Sequence, residues 1–286
     1  MSPQKLSVVT GAASGIGAAC VRHLVARGDT VVALDLPGTW SETTTQKTGV
    51  AAFYPCDVLQ ESMVRDVEAL IFQNHGAVSG LVNSAGILQR KLPPEQLDMA
   101  EWDKVIAVDQ RGTYLCCAVF GARMASLGHG AIVNIASITG SRSIPLHAYA
   151  PAKAAVISIT ACLAAEWGRS GVRINAVSPG YTLTEGLQAA IDRGDRNPAD
   201  LHSQSAMGRM VRPEEVADAI GFLLSPAASA ITGINLPGEG AEFWVNGQRV
   251  GLVKDVNFAR LFFGIWLDER TSEPKMRAQL LQGLQP

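Results

Sequence analysis

The chain predicts an α/β fold, a doubly wound parallel sheet with helices on both faces, and three observations carry that expectation. Short apolar runs alternate with longer segments of helical periodicity, the pattern of repeated βαβ units. The runs are apolar on consecutive residues, so helices must cover both faces of the sheet. At 286 residues, with 47% hydrophobic and 17% charged residues, there is material for one large domain but little room for a second.

The clearest strands are Leu6–Thr10, Thr30–Asp35, Leu81–Asn83, Ala131–Ile135 and Val172–Ser178. Helical stripes fall on Ile16, Ala19, Cys20 and Leu24, on Met63, Val67, Leu70 and Ile71, and on Val156, Ile159, Leu163 and Trp167. Pro213 opens a late helix through Leu224, and Ile231-Thr232-Gly233 leads to a short last strand. The polar, small-residue segment 185–205 reads either as a mobile lid beside a substrate or as a plain surface excursion.

A net charge of −2 offers no basic footprint for nucleic acid or for an anionic membrane, so a small molecule or another protein chain is the expected partner. The first residues show no signal-peptide stretch and no later segment approaches a membrane span, which predicts a cytoplasmic protein. Five cysteines without a C-x-x-C pair fit reduced, structural thiols, and the histidines have no metal-ligand spacing.

After the first strand, Thr10 to Gly17 runs directly into a helix, and Gly11, Ser14, Gly15, Ile16 and Gly17 are its candidate cofactor-binding residues. Glycines let the backbone turn tightly and approach a pyrophosphate, whose charge then meets the unpaired N–H groups of a helix N-terminus. The second strand ends at Asp35, where a carboxylate accepts hydrogen bonds from ribose hydroxyls and repels a 2′-phosphate; neither Ser14 nor Leu36 supplies a cation. NAD is therefore the cofactor expected in preference to NADP.

Tyr149 and Lys153 stand four residues apart, on one helical face. A phenol of pKa ~10 must fall by about three units, roughly 4 kcal/mol, to act as a base near neutrality. The Lys153 charge and the positive nicotinamide ring are the cations available to lower it. Ser137, at the end of the strand from Ala131, can donate to a substrate oxygen as charge develops there.

With these motifs in this order, the chain from Lys5 to about Leu236 resembles a short-chain dehydrogenase/reductase, whose fold is a Rossmann sheet. The resemblance rests on T-G-x-x-x-G-x-G at Thr10 to Gly17, Asp57-Val58, Asn83-Ser84-Ala85-Gly86, Ser137, Y-x-x-x-K at Tyr149 and Lys153, and Pro179-Gly180-Tyr181-Thr182-Leu183-Thr184. It implies a catalytic triad of Ser137, Tyr149 and Lys153 for interconverting a secondary alcohol and a ketone. It also implies adenine contacts from Asp57 and Val58, cofactor contacts from Asn83, Ala85 and Gly86, a lysine that binds the nicotinamide ribose, and a carboxamide held by the segment containing Pro179, Gly180, Thr182 and Thr184. Homodimers or homotetramers through the long helices follow from the same resemblance.

Two positions depart from the family pattern. Ser84 replaces an asparagine, and Asp109 stands where a fourth catalytic residue is normally asparagine, which predicts retained activity with an altered pH profile. Asp109, and a last strand that reads Leu236-Pro237-Gly238-Glu239 where the family pattern has V-D-G-G, also leave open a non-catalytic nucleotide-binding scaffold. The substrate pocket is expected to involve Thr139, Ile144, His147, Tyr181 and the 185–205 segment.

The chain therefore divides into a main domain, 1–237, and an extension, 238–286. Phe243-Trp244-Val245 and Val250-Gly251-Leu252-Val253 flank Asn246-Gly247, a hairpin signal. Two helices follow, one striped by Phe258, Leu261, Phe262, Ile265 and Trp266, the other starting at Ser272 and Pro274 and carrying Leu280, Leu281 and Leu284. The stretch Phe243 to Leu281 resembles the C-terminal end of chalcone-isomerase-like proteins, a fragment that brings no catalytic residue. Its apolar stripe predicts a subunit contact, or an apolar-ligand module as the alternative.

Overall fold

The structure is a computed structural model that describes residues 5–205 and 207–233, together with the backbone of three later strands, 235–237, 241–245 and 248–253. In chain order the elements are β1 (Leu6–Thr10), α1 (Gly15–Ala26), β2 (Thr30–Asp35), α2 (Glu42–Thr48), β3 (Ala52–Pro55), α3 (Glu61–His75), β4 (Gly80–Asn83), α4 (Met99–Val105), α5 (Thr113–Leu127), β5 (Gly130–Ile135), α6 (Tyr149–Trp167), β6 (Val172–Ser178), α7 (Glu185–Asp192), α8 (Pro198–Ser203), α9 (Pro213–Leu224), β7 (Asn235–Pro237), β8 (Ala241–Val245) and β9 (Gln248–Val253).

Seven parallel strands form one sheet in the order β3-β2-β1-β4-β5-β6-β7. The order reverses beside β1, so a crevice opens at the carboxyl ends of β1 and β4, where α/β sheets bind ligands. Because strand side chains alternate, Val8 and Val9 enter different cores. One core joins Val8, Leu34, Leu81 and Ile132 to Ile71 of α3 and Phe120 of α5. The other joins Val9, Val31 and Val133 to Leu24 of α1 and Ile220 of α9. The doubly wound sheet expected from the apolar runs is thus present.

Two of the helical stripes are corrected in part: Val67, Ile71 and Val156 are buried and Met63, Leu163 and Trp167 pack half-buried against the first core, as expected. On α3, Leu70 is 43% exposed, while Val64, Val67, Glu68 and Ile71 are buried. The helix turns one edge of its apolar set to solvent because Glu68 is buried with Arg123 of α5 as its ion-pair partner. On α6 the buried face is Ala152, Val156, Thr160 and Ala164, with Ile159, Leu163 and Trp167 half-buried. Thr160 can sit there because its hydroxyl donates to Val156 O at 2.8 Å and accepts from Asn134 at 2.9 Å.

Segment 185–205 contains two short helices. Thr184 caps α7 by accepting the Leu187 N–H, and Asn197 caps α8 with Pro198 in its first turn. The strands of the expected hairpin, β8 and β9, pair antiparallel. The Asn246-Gly247 turn and the two helices expected after it lie outside the described residues. All five cysteines are free; burial pushes the Cys20 thiol up to about 12 and Cys56 up to about 11, which makes both inert. Among the described residues no helix is long and apolar enough to cross a membrane, and no group of three or more potential ligands could hold a metal.

Candidate active site

The glycine turn is built against the end of β4. Thr10 Oγ1 accepts the N–H groups of Ser84 and Ala85, both at 3.2 Å. Gly11 has φ +64°, and a Cβ there would come 2.7 Å from Ala85 Cα, so no side chain fits. At Gly17 a Cβ would lie 2.0 Å from the Gly11 carbonyl oxygen. Gly15 opens α1, and its N–H donates to Glu185 Oε2 at 2.8 Å. A carboxylate therefore occupies the kind of place where an anion meets a helix N-terminus. The cradle that only glycine fills and the anion already seated on its N–H both fit a pyrophosphate.

Asp35 accepts the N–H of Ala13 at 2.8 Å and of Leu36 at 2.7 Å, which ties the end of β2 to the glycine turn. Leu36 is 50% exposed and adds no charge. Asp57 accepts the Leu59 N–H at 3.0 Å, and Val58 packs beneath Gly112. Asn83 behaves differently from the other expected cofactor residues. Its amide is buried and donates to Asn134 Oδ1 at 2.8 Å and Cys117 Sγ at 3.1 Å, so its side chain ties β4 to β5 and α5. Ser14 is exposed at the start of α1, while Ile16, Pro179, Gly180, Thr182 and Thr184 line one cavity with Ser137 and Tyr149. Ala85 and Gly86 are instead packed from behind, by Gly11 and Asp109 respectively.

Tyr149 begins α6. Gln89, from the loop after β4, accepts the N–H groups of Ala148 at 2.8 Å and Tyr149 at 3.1 Å and so caps this helix in place of a local residue. One turn on, Lys153 donates to Ile135 O at 2.9 Å, and its ammonium lies 5.4 Å from the centre of the Tyr149 ring. Ser137 accepts the Thr139 N–H at 3.2 Å, and it lines the same cavity as Tyr149. Ser137, Tyr149 and Lys153 are thus brought together by β5, the turn after it and α6.

Asp109 joins them. It sits in a π-helical turn, Ile106–Gly112, between α4 and α5, a distortion often found at functional sites. Its Oδ1 accepts the Ile87 N–H at 2.8 Å and its Oδ2 lies 3.1 Å from Lys153 Nζ, a charge contact without hydrogen-bond alignment. Burial raises the Asp109 carboxyl above its ordinary range against the pull of Lys153. For Lys153, burial acts to lower the ammonium, but Asp109 and Tyr149 together hold it above its usual value.

The Tyr149 phenol is raised rather than lowered. Burial is the largest cause and Asp109 adds to it, outweighing the downward pull of Lys153 and Ser137. The expectation that Lys153 brings the phenol down is therefore only half met: its charge pulls downward, but burial first and Asp109 second outweigh it.

The cavity is walled by Gln89, Ser137, Thr139, Leu146, Tyr149 and Tyr181, with α7 and the turn after it above them. Ile144 and His147 are not part of this wall; Leu146, between them, takes the place expected for them. Gln89 was not legible as a site residue, since only the fold brings its loop to the start of α6.

The profile of the family described as Enoyl-(Acyl carrier protein) reductase matches residues 11–240. The chain is similar to D-threitol dehydrogenase of Mycolicibacterium smegmatis, 38% identical over 237 residues that cover 81% of this chain and 90% of that protein. It is also similar to cis-4-hydroxycyclohexanecarboxylate dehydrogenase of Sinomonas cyclohexanicum, 38% identical over 244 residues, covering 83% and 96%. A solved structure described as a ribose-5-phosphate isomerase from Brucella melitensis 16M aligns with a TM-score of 0.79 at 46% identity, covering 82% of this chain and 90% of that one.

Proposed function

The chain belongs to the short-chain dehydrogenase/reductase family, and on that premise we propose that it is an NAD(H)-dependent oxidoreductase interconverting a secondary alcohol and a ketone. The observation that carries this reading is that Ser137 and Tyr149 wall one cavity that runs on to the start of α1, with the buried Lys153 ammonium 5.4 Å from the Tyr149 ring centre. NAD, when bound, supplies the hydride acceptor. Tyr149 takes the hydroxyl proton of the alcohol, Ser137 donates to the same oxygen, and Lys153 steadies the phenolate by its charge. Asp35 supports NAD over NADP through its carboxylate at the end of β2.

Absorbance of NADH across a panel of alcohols and ketones, with NADPH as control, tests the reading. Tyr149→Phe is expected to lose at least about a thousandfold in turnover, since general acid–base catalysis contributes factors of that order. A variant with wild-type turnover would exclude Tyr149 as the proton carrier. An isomerase, by contrast, would convert substrate with no net change in nicotinamide.

We assign the protein to the cytoplasm as a homodimer or homotetramer with a boundary at 237/238, and the extension 238–286, with its resemblance to chalcone-isomerase-like proteins, to a subunit contact. Deletion after Leu236 that left assembly and stability unchanged would remove that last assignment.

A further inference from the structure

We propose that the cavity takes a secondary alcohol bearing a second oxygen on the neighbouring carbon, a vicinal diol or the matching hydroxyketone, and that Gln89 and Thr139 recognise this second oxygen. The inference deepens the dehydrogenase reading and rests on it.

The amide of Gln89 is 2% exposed, and its orientation is set by the two backbone N–H groups that Oε1 accepts. Its Nε2 is therefore the free end, and it is buried with no hydrogen-bond partner among the described residues. The Thr139 hydroxyl is in the same position: the residue is 7% exposed and Oγ1 has no partner among the described residues. Buried polar groups in folded proteins are almost always paired, because leaving one unpaired forfeits its hydration for nothing.

Both residues wall the catalytic cavity, and each is bonded to one of the two groups that would hold the reacting oxygen. Thr139 gives its N–H to Ser137 Oγ, and Gln89 takes the N–H of Tyr149. A ligand oxygen one carbon from the reacting centre could accept from the Gln89 amide and exchange a hydrogen bond with the Thr139 hydroxyl. A simple monofunctional alcohol would leave both unsatisfied, and sites built to hydrogen-bond a substrate oxygen discriminate strongly against the analogue that lacks it.

The test compares butane-2,3-diol with butan-2-ol, which share a skeleton and differ by the vicinal hydroxyl. Gln89→Glu keeps an oxygen for the two backbone N–H groups but removes the amide donor, and Thr139→Val removes the hydroxyl at nearly constant shape. The diol is expected to be favoured at least about tenfold in kcat/KM, and each variant should lower that ratio severalfold. Taking a ratio cancels any change in Tyr149 that affects both alcohols alike.

A wild-type ratio near one would overturn the proposal. So would a ratio that survives both variants while thermal stability falls, the sign that the two groups serve the fold or an enclosed water. Should neither alcohol turn over, their relative binding to the NADH-loaded enzyme, read by saturation-transfer NMR, separates the two ideas. A diol preference lost in the variants would then uphold the pocket reading and sink the dehydrogenase one, and equal binding would sink both.

Discussion

The ammonium of Lys153 lies 3.1 Å from the Asp109 carboxylate, with their side chains 5% and 0% exposed, so the charge that should acidify Tyr149 is partly spent on a neighbour. Asp109 raises the Tyr149 phenol, and alcohol oxidation needs the phenolate, so the acid limb of the rate profile is held at higher pH than Lys153 alone would set. Asp109→Asn should move that limb to lower pH. The same change deprives Lys153 of the partner that holds its ammonium up, so the alkaline limb should also move down. Breaking a buried pair this way should cost roughly 3 kcal/mol of stability at neutral pH, measured by denaturant unfolding. Superimposable kcat/KM profiles for the two proteins would rule out the role.

Asp35 governs cofactor choice through its charge and the loop through its hydrogen bonds. Asp35→Ala alone leaves the Ala13 N–H without its acceptor and should lower kcat/KM with NAD about tenfold. Combined with Leu36→Arg, it removes the repulsion of a 2′-phosphate and adds a cation at an exposed position. The NADP-to-NAD preference should then rise by about a hundredfold or more in steady-state kinetics. A double variant that still rejects NADP would place the discrimination elsewhere.

Gly17 tests the cradle. A methyl group there would stand 2.0 Å from the Gly11 carbonyl oxygen, a backbone atom that cannot swing aside. Gly17→Ala should therefore cost about 1–3 kcal/mol by forcing the turn open. NADH binding, followed by fluorescence, should be lost at concentrations that saturate the wild type.

The parts legible in the sequence were those fixed by local chemistry. Strands such as Leu6–Thr10 and Thr30–Asp35 appear with the expected bounds because consecutive apolar residues between glycine-bearing turns leave few alternatives. Tyr149 and Lys153 share a helical face by spacing alone, and Pro213 opens its helix as its missing N–H dictates. What depended on distant partners was not legible. The burial of Glu68 needs Arg123, from another helix. The inward turn of Asn83 needs Asn134 and Cys117, and the cap on α6 comes from Gln89 on a different loop. The direct approach of Asp109 to Lys153 required a π-helical turn that no periodicity announces.

Glu185 and the cofactor should compete for one donor. Its carboxylate accepts the Gly15 N–H at 2.8 Å, at the helix end where a pyrophosphate needs the same groups, and Thr184 beside it packs 3.1 Å from where a Gly15 Cβ would be. Binding of a dinucleotide must therefore displace this carboxylate from the Gly15 N–H. Glu185→Gln keeps the shape but weakens the competitor, because a neutral amide gains less from the positive end of α1 than a carboxylate does. NAD should bind roughly two- to fivefold more tightly to the variant, the range set by the interaction of one charge with a helix terminus. Isothermal titration of NAD into both proteins checks it, and weaker binding by Glu185→Gln would mean that the carboxylate assists the cofactor instead of opposing it.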